Sequence, residues 1–533
     1  MPKATKASFP ERKKAAMYAK IDIWQARAAR LLVVLLLCIQ PLYLHPERYI
    51  RLTYHKWTFL VASVSIVLLC VLIIWAYRLT RTPRLLPQDK FHLFDWAVLL
   101  FAVVTFASAL FSPFRDYMNV WIGVEEPFGR YDGAITQLFY VAVFFVVSRW
   151  YKPKVKDFVV FGISASLIGL IGIFQFYGMD FFNLWPVNHP DHGHLSFYEI
   201  FFRSTLGNIN IVSTYVCIAI LLCGFLFIRM KSKWQPLWLA ASALSFWLMD
   251  IAGSDSGLVG VVVATFFAIP FIIEGKKYLG RTLVLLSSWV AVFTLQRLIF
   301  QVNFMGTMTF ASLLPFLAAF AVLLVIGLVL SRLGTEREPD APAKWKLGVI
   351  LIAVFIAIGL VGIELLGREA AVRQEGFADR ILFEAREVMH GNLRGEMGSG
   401  RVHIWRYALS VVPDNPIIGT GPDTFQFAFP DEGHGFMGAA FDTAHNEYIQ
   451  ILVAQGILGL LAYLVFLGGV FLTSLRYAFK NPLVMAVLAA FFGYCVQAFF
   501  NINLPIVSQT MWVLVGMLAS KQFRETALEM LSA

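Results

Sequence analysis

The sequence predicts an all-α polytopic membrane protein with about fourteen transmembrane helices and one large water-exposed segment late in the chain. Its 533 residues are 58% hydrophobic and only 15% charged, whereas soluble domains carry about 25% charged residues. Apolar runs of roughly 20 residues, which suffice to cross a bilayer as helices, recur along the whole chain. Because these runs are spread evenly, they favour one membrane domain over several soluble domains.

The predicted spans form two groups on either side of the large polar segment. Residues 24–366 hold the first eleven spans, and residues 448–521 hold the last three. In chain order the spans are 24–44, 58–78, 94–112, 134–149, 157–178, 209–229, 234–252, 255–273, 281–301, 308–331, 346–366, 448–475, 482–500 and 505–521.

Lys and Arg gather in alternate connections between the spans. The connections rich in these residues are 78–90, 149–156, 229–233, 276–281, 332–346 and 476–480. The loop at 45–57 is the exception on the opposite side, since it also carries basic residues. By the positive-inside rule, a basic tail at 1–23 and a tail at 522–533 are both expected in the cytoplasm. The net charge of +10 therefore indicates membrane topology, and no nucleic-acid partner is expected.

Three longer connections are predicted to face outward, at 113–133, 179–208 and 367–447. Outward loops of this size usually carry function, and the last is the largest. The 179–208 loop contains His189, Asp191, His192 and His194. These residues form no complete ligand set on a defined helix face, so neither a metal nor another cofactor is expected.

The most informative stretch runs from Gly398 to Leu460. It predicts an amphipathic helix from about Arg401 that stops by Pro413, then glycine- and proline-rich turns, then a helix that begins near His445. A histidine in the first turn of that helix would tend to stay neutral, as a general base must, and helix N-termini suit phosphate. The alternative is that His445 is an interfacial polar residue, and that Arg401 and Arg406 anchor lipid headgroups.

Two other polar stretches precede apolar helices on the predicted outer side. Arg203 to Asn210 combines an arginine, a glycine turn and two asparagines, and Gly129 to Gly133 contains Arg130. Either stretch is suited to bind an anion. The alternatives are a helix-capping loop for the first and a turn with interfacial aromatic residues for the second.

Taken together, these stretches resemble the O-antigen ligase/polymerase family of bacterial membrane glycosyltransferases. Gly400-Arg401 with Trp405 is similar to the family's arginine motif. His445-Asn446, nine residues and then Gly456-Ile-Leu-Gly459 is similar to its histidine motif. The stretch from Arg203 resembles its Arg-(x)-Gly-Asn-x-Asn segment, and the resemblance covers roughly residues 200–475. The family often has an arginine in a Ser-Arg-Gly stretch, but the similar place here, residues 253–257, lacks it.

The resemblance implies a GT-C-like architecture in the bacterial cytoplasmic (inner) membrane, with an extracytoplasmic active site. It implies a glycan donor on undecaprenyl diphosphate, a hydroxyl acceptor on lipid, glycan or protein, surrounding membrane lipids, and an inverting, metal-independent transfer. The residues expected to be catalytic are His445 as base and Arg401 and Arg203 on the leaving diphosphate. Those expected to bind substrate are Arg406, Arg130, Asn208, Asn210 and Asn446. Gly456 and Gly459 are expected to let a neighbouring helix approach closely.

Other functions remain open at this point. The acceptor class is undecided between ligase, polymerase and protein O-oligosaccharyltransferase. A flippase or transporter for lipid-linked oligosaccharide is the main alternative, although such proteins place polar residues deep in broken helices. The predicted spans are instead apolar at their centres, which favours chemistry at the outer surface. A cell-wall polymerase of the shape-and-division type is a third and weaker alternative.

Overall fold

Helices form nearly all of the regular structure, in agreement with the predicted all-α class. The computed structural model describes residues 9–80, 90–125, 129–184, 202–304, 310–335, 344–373, 377–433, 435–436 and 441–529. Within these ranges the strands are Phe202–Arg203 and Gly207–Asn208, which pair antiparallel around the 3-10 turn Ser204–Leu206. The histidines at 189, 192 and 194 lie outside the described residues.

A helix coincides with each predicted span. In the first half of the chain the helices are Phe9–Val34, Gln40–Leu42, Leu52–Leu79, Leu93–Leu110, Ala134–Trp150, Val155–Phe176, Ile209–Arg229 and Gln235–Ala252. In the second half they are Asp255–Phe267, Ile269–Ile272, Lys276–Phe304, Phe310–Leu333, Trp345–Arg373, Phe377–Met389, Arg401–Ser410, Phe425–Ala428, Glu447–Ala478, Pro482–Gln497, Ser508–Ala519 and Lys521–Glu529. A π-helical turn at Leu35–Ile39 and 3-10 turns at Val412–Asp414, Asp431–Gly433 and Ala498–Phe500 complete the regular structure of the described ranges.

Length and hydropathy divide these helices into groups. Among the described residues, nine helices are long and apolar enough to cross a membrane, and three further apolar helices are shorter. Phe9–Val34 and Gln235–Ala252 belong to neither group, since both contain more polar residues. The structure therefore supports a polytopic membrane protein, and the count of fourteen spans stays a prediction.

Several helices begin or end away from the predicted boundaries. The first begins at Phe9, so part of the predicted 1–23 tail is helical. There Arg78 donates to Asp22 at 3.0 Å and to Gln25 at 3.2 Å. These contacts stabilise a helical stretch that is too polar to be predicted as part of a transmembrane span. A second shift is at Trp345–Arg373, which continues beyond the predicted end at residue 366.

The first helix ends in a break that a lysine stabilises. The helical segment ends at Leu42, and the last carbonyl groups of a helix have no N–H partner in the next turn. Lys56 is fully buried and donates from Nζ to the carbonyl oxygens of Gln40 at 2.6 Å and Pro41 at 2.9 Å. Thr205 Oγ1 also donates to the Pro41 carbonyl at 2.6 Å. These bonds hold the first connection, which is the loop predicted at 45–57, against the segment that precedes the Ile209–Arg229 helix.

The centre of the bundle is the Ile209–Arg229 helix, whose most apolar 18-residue window is completely buried. It packs against Gln235–Ala252, Asp255–Phe267 and Pro482–Gln497. By contrast, none of the corresponding window of Trp345–Arg373 is buried. An all-apolar helix must be enclosed by protein or by lipid, so Trp345–Arg373 belongs at the lipid-facing surface of the bundle.

Candidate functional site

The Glu447–Ala478 helix, which begins two residues after His445, is broken at Gly456 and bonded there to a turn of the large loop. Gly456 has φ 68° and ψ −171°, which interrupts the helix in a region that essentially only glycine adopts. The turn segment 416–421 fills the gap: Thr420 N–H donates to the Val453 carbonyl at 2.9 Å, and Ile457 N–H donates to the Pro416 carbonyl at 2.8 Å. The predicted role of Gly456 in helix–helix packing is therefore wrong, because the glycine admits a loop.

Gly459 does lie near a neighbouring helix. A Cβ atom there would lie 3.6 Å from the Val104 side chain on Leu93–Leu110, and 2.4 Å from Gln455 of its own helix. Gly459 thus faces the Leu93–Leu110 helix, and its role in a close approach of helices stays a prediction.

His445 lies just before this helix and not in its first turn as predicted. Asn446 is the N-cap, and its side-chain oxygen accepts the N–H groups of Tyr448 at 3.0 Å and Ile449 at 3.1 Å. His445 itself has φ 48°, an uncommon left-handed conformation for a residue other than glycine. Trp405 Nε1 donates to the Ala444 carbonyl at 2.9 Å, which ties this turn to the Arg401–Ser410 helix.

Glu447 anchors the start of the helix from the other side. Its carboxylate accepts hydrogen bonds from the hydroxyl groups of Tyr463 at 2.5 Å and Tyr494 at 2.7 Å. Glu447 is 3% exposed. Contacts on both sides of His445 thus restrict where its imidazole can lie.

The His445 imidazole lies in the wall between two cavities. One has a volume of about 630 Å³ and the other about 360 Å³, and both are lined by His445 and Asn208. The Nδ1 atom is buried and has no hydrogen-bond partner among the described residues. Burial, together with the charges of Arg401 and Arg130, lowers the pKa of His445 to about 4, against the opposing effect of Asp442. The imidazole is therefore neutral at pH 7, with a nitrogen able to accept a proton.

Arg401 is the main cation of the larger cavity. Its Nη1 donates to the Gly398 carbonyl at 2.7 Å, while its buried Nε has no partner in the described part of the chain. Burial lowers the pKa of Arg401, and the charge of Asp255 acts in the opposite direction. A guanidinium with an unused, partly desolvated donor favours an anion with several oxygen atoms.

Polar groups form another wall of the larger cavity. Ser254 Oγ donates to Asn210 Oδ1 at 2.9 Å, and the Asn501 amide donates to the Asn210 carbonyl at 2.7 Å and to Ser256 Oγ at 3.1 Å. The cavity is thus lined by the predicted Asn210 and by residues 253–256, the stretch in which the expected arginine is missing and which contains Asp255.

Arg130 lies beside the smaller cavity but is already paired with carboxylates. Its Nε donates to Asp423 at 2.9 Å, and its Nη1 lies 3.7 Å from Asp442. Asp423 also accepts the Val124 N–H at 2.7 Å. This buried cluster joins the 113–133 segment to the large loop, and Asp442 continues it to within three positions of His445.

The remaining predicted residues line neither of the two cavities. The Arg203 guanidinium lies 5.7 Å from the Phe176 ring centroid, and Arg203 lines neither cavity. Arg406 is exposed on the Arg401–Ser410 helix and lines neither cavity. The Asn446 side chain caps a helix, as described above. The structure thus brings together His445, Arg401, Arg130, Asn208 and Asn210.

Several lining residues were missed by sequence reasoning. Tyr54, Tyr131 and Arg51 line the smaller cavity, and Glu384 and Asp255 line the larger one. Aromatic and basic residues near helix ends are common in any membrane protein, so these positions carried no distinctive local signal.

Comparison with known proteins supports the resemblance. Residues 298–464 match the family described as O-antigen ligase. The matched region, which is less than half of the chain, is similar to an O-antigen ligase domain. The matched region includes Arg401, His445 and the broken helix up to Gly459, so this O-antigen ligase domain contains one wall of each cavity. This domain match supports an O-antigen ligase-like membrane glycosyltransferase. No curated protein matches the chain.

Proposed function

We propose that this protein transfers a glycan from an undecaprenyl-diphosphate carrier to an acceptor hydroxyl on the extracytoplasmic side of the cytoplasmic membrane. One observation carries the proposal: a neutral imidazole with an unpartnered buried nitrogen separates two cavities, and an incompletely bonded arginine lines one of them. Two cavities that meet at a base suit a reaction between two large substrates.

Each residue has a defined task in the proposed transfer. The acceptor oxygen forms a bond to the anomeric carbon while the bond from that carbon to the diphosphate oxygen breaks. His445 accepts the hydroxyl proton, and undecaprenyl diphosphate leaves with the bonding electrons. A single displacement of this kind inverts the anomeric configuration. Arg401 donates hydrogen bonds to the diphosphate as its negative charge grows, and Asn208 and Asn210 bind substrate beside it.

The bound donor also changes the pKa of His445, the proposed base. In the free protein the charges of Arg401 and Arg130 help to keep the pKa of His445 near 4, which makes it a weak proton acceptor at neutral pH. A diphosphate between these groups adds negative charge and raises the pKa of His445 towards the working pH. The base therefore becomes effective when the donor is in place.

The predicted arginines away from the cavities have secondary tasks in this scheme. Arg203 and Arg406 bind donor or acceptor groups that extend beyond the two cavities. Asn446 acts by holding the turn that presents His445. The acceptor is a hydroxyl on lipid, glycan or protein.

The test is glycan transfer by protein purified in nanodiscs, with undecaprenyl-diphosphate glycan as donor and a panel of lipid, glycan and peptide acceptors. We expect transfer by wild type and a loss of at least about 100-fold in His445→Ala, with no loss in His390→Ala. His390 is 48% exposed and pairs with Glu364, so it is a suitable control. We also expect transfer to survive EDTA.

Two outcomes would contradict the proposal. Full activity of His445→Ala would remove the proposed base. Absence of transfer to every acceptor, with lipid-linked glycan crossing liposome bilayers equally well in wild type and His445→Ala, would favour the flippase alternative.

A further inference from the structure

Two histidines and a glutamate meet in the first connection, away from His445 and Arg401. One ligand atom from each of His45, Glu47 and His55 lies within 4.8 Å of the other two, and among the described residues this is the one such group of three. The two imidazole rings stack, with centroids 3.5 Å apart and planes inclined by 18°. His55 Nε2 and Glu47 Oε2 are 2.8 Å apart.

We propose that His45, Glu47 and His55 bind a divalent transition-metal ion, Zn²⁺ by preference. Two imidazole nitrogens and one carboxylate oxygen are a donor set that Zn²⁺ uses when it keeps a fourth position for water. Mg²⁺ and Ca²⁺ require oxygen ligands throughout, so this donor set disfavours them.

The distances require only local movement to reach a tetrahedral site. Bonds of about 2.0–2.1 Å at tetrahedral angles separate ligand atoms by about 3.3 Å, compared with the present upper limit of 4.8 Å. His55 is buried near the start of the Leu52–Leu79 helix, so its ring is the fixed ligand. Glu47 is 44% exposed and His45 is partly exposed, so these two side chains make the adjustment, including rotation of the stacked ring.

The carboxylate of the group is in the correct state for a metal. The Glu47 side chain is 44% exposed, and a solvated carboxylate is ionised at neutral pH.

The proposed ion lies beside the smaller cavity but takes no part in transfer. Arg51 and Tyr54 line that cavity and lie between Glu47 and His55 in sequence. An ion held by His45 and His55 would join the two ends of the connection and stabilise that wall. Removal of the ion with EDTA is thus expected to leave the proposed transfer chemistry in place, and the two proposals can fail separately.

The test is Zn²⁺ binding by the full-length protein, purified without a histidine tag, treated with EDTA and desalted into nanodiscs. Binding is measured by competition with a chromophoric chelator, and Mg²⁺ serves as the comparison ion. Because 189–194 contains further histidines, a variant with His189, His192 and His194 all changed to alanine is the background for every measurement. We expect one Zn²⁺ per chain in this background and at least about tenfold weaker binding after His55→Ala or Glu47→Gln.

His390→Ala is the matched control, because His390 Nε2 and Glu364 Oε2 form a similar pair at 2.9 Å without a second histidine. It is expected to bind Zn²⁺ as the background does. Zn²⁺ should also raise the melting temperature of the background and not that of Glu47→Gln. If His55→Ala fails to fold, the more exposed His45→Asn and Glu47→Gln replace it. Equal binding by the background and by His45→Asn and Glu47→Gln would mean that the group is only a hydrogen-bonded cluster, and the proposal would be wrong.

Discussion

Replacing Asp423 with alanine is expected to destabilise the protein by about 3–5 kcal/mol, the usual effect of removing one partner from a buried ion pair. The side chain of Asp423 is 1% exposed and that of Arg130 is 6% exposed, so both charges are largely removed from bulk water. The substitution leaves a buried guanidinium without its 2.9 Å partner and the Val124 N–H without its 2.7 Å acceptor.

The assay is the melting temperature of the purified protein in nanodiscs, followed by intrinsic fluorescence at one fixed scan rate, because unfolding of such proteins is often irreversible. Asp414→Ala is the matched control: Asp414 is exposed in the same large loop, and surface substitutions usually change stability by less than about 0.5 kcal/mol. We expect Asp423→Ala to melt several degrees below Asp414→Ala.

A double variant separates the ion pair from other effects. Arg130→Met with Asp423→Leu removes both charges of the pair, so it is expected to lose less stability than the two single changes added together. The reasoning would be refuted if Asp423→Ala melted with Asp414→Ala, or if the double variant lost as much stability as that sum.

The remaining predictions concern the helix break and the proposed chemistry. Gly456→Ala should lower the melting temperature, because its Cβ would lie 2.4 Å from the Ile417 carbonyl oxygen at a positive φ, whereas Gly468→Ala on the same helix has no atom within 4 Å and should be neutral or stabilising. Arg401→Ala should lower transfer strongly and Arg401→Lys restore it only in part, since an ammonium cannot bond phosphate oxygens in a bidentate way; full restoration would contradict this. The lowered pKa keeps His445 neutral above about pH 4, so kcat/KM should decrease only when the pH is lowered to about that value. The bound donor raises the pKa of His445, so the decrease of kcat on acidification should begin at a higher pH than that of kcat/KM. Arg401→Ala removes a charge that lowers the pKa of His445, so the acid limb of the pH profile of kcat/KM should move towards about pH 6.5. An unchanged acid limb would show that it does not reflect the titration of His445.

The helical class and the approximate places of the helices were predictable because hydropathy is a local property. A run such as Ile209–Arg229 is apolar throughout, and its predicted and observed bounds coincide. Arg401 and His445, which the sequence singled out through motif resemblance, line one cavity in the structure. Local sequence is also sufficient for the Arg401–Ser410 helix, which ends before Pro413 as predicted.

Contacts between distant parts of the chain fix the details of the site, and they leave no periodic signal in the sequence. Arg130 meets Asp423 across 293 positions, so its side chain is committed to an ion pair that no local pattern reveals. Gly456 admits the 416–421 segment into a helix that hydropathy predicts to be continuous. His445 acquires its lowered pKa from burial and from arginines on other elements. Residue type and hydropathy specify which groups enter a membrane, whereas the burial and partners of each group depend on the assembled bundle.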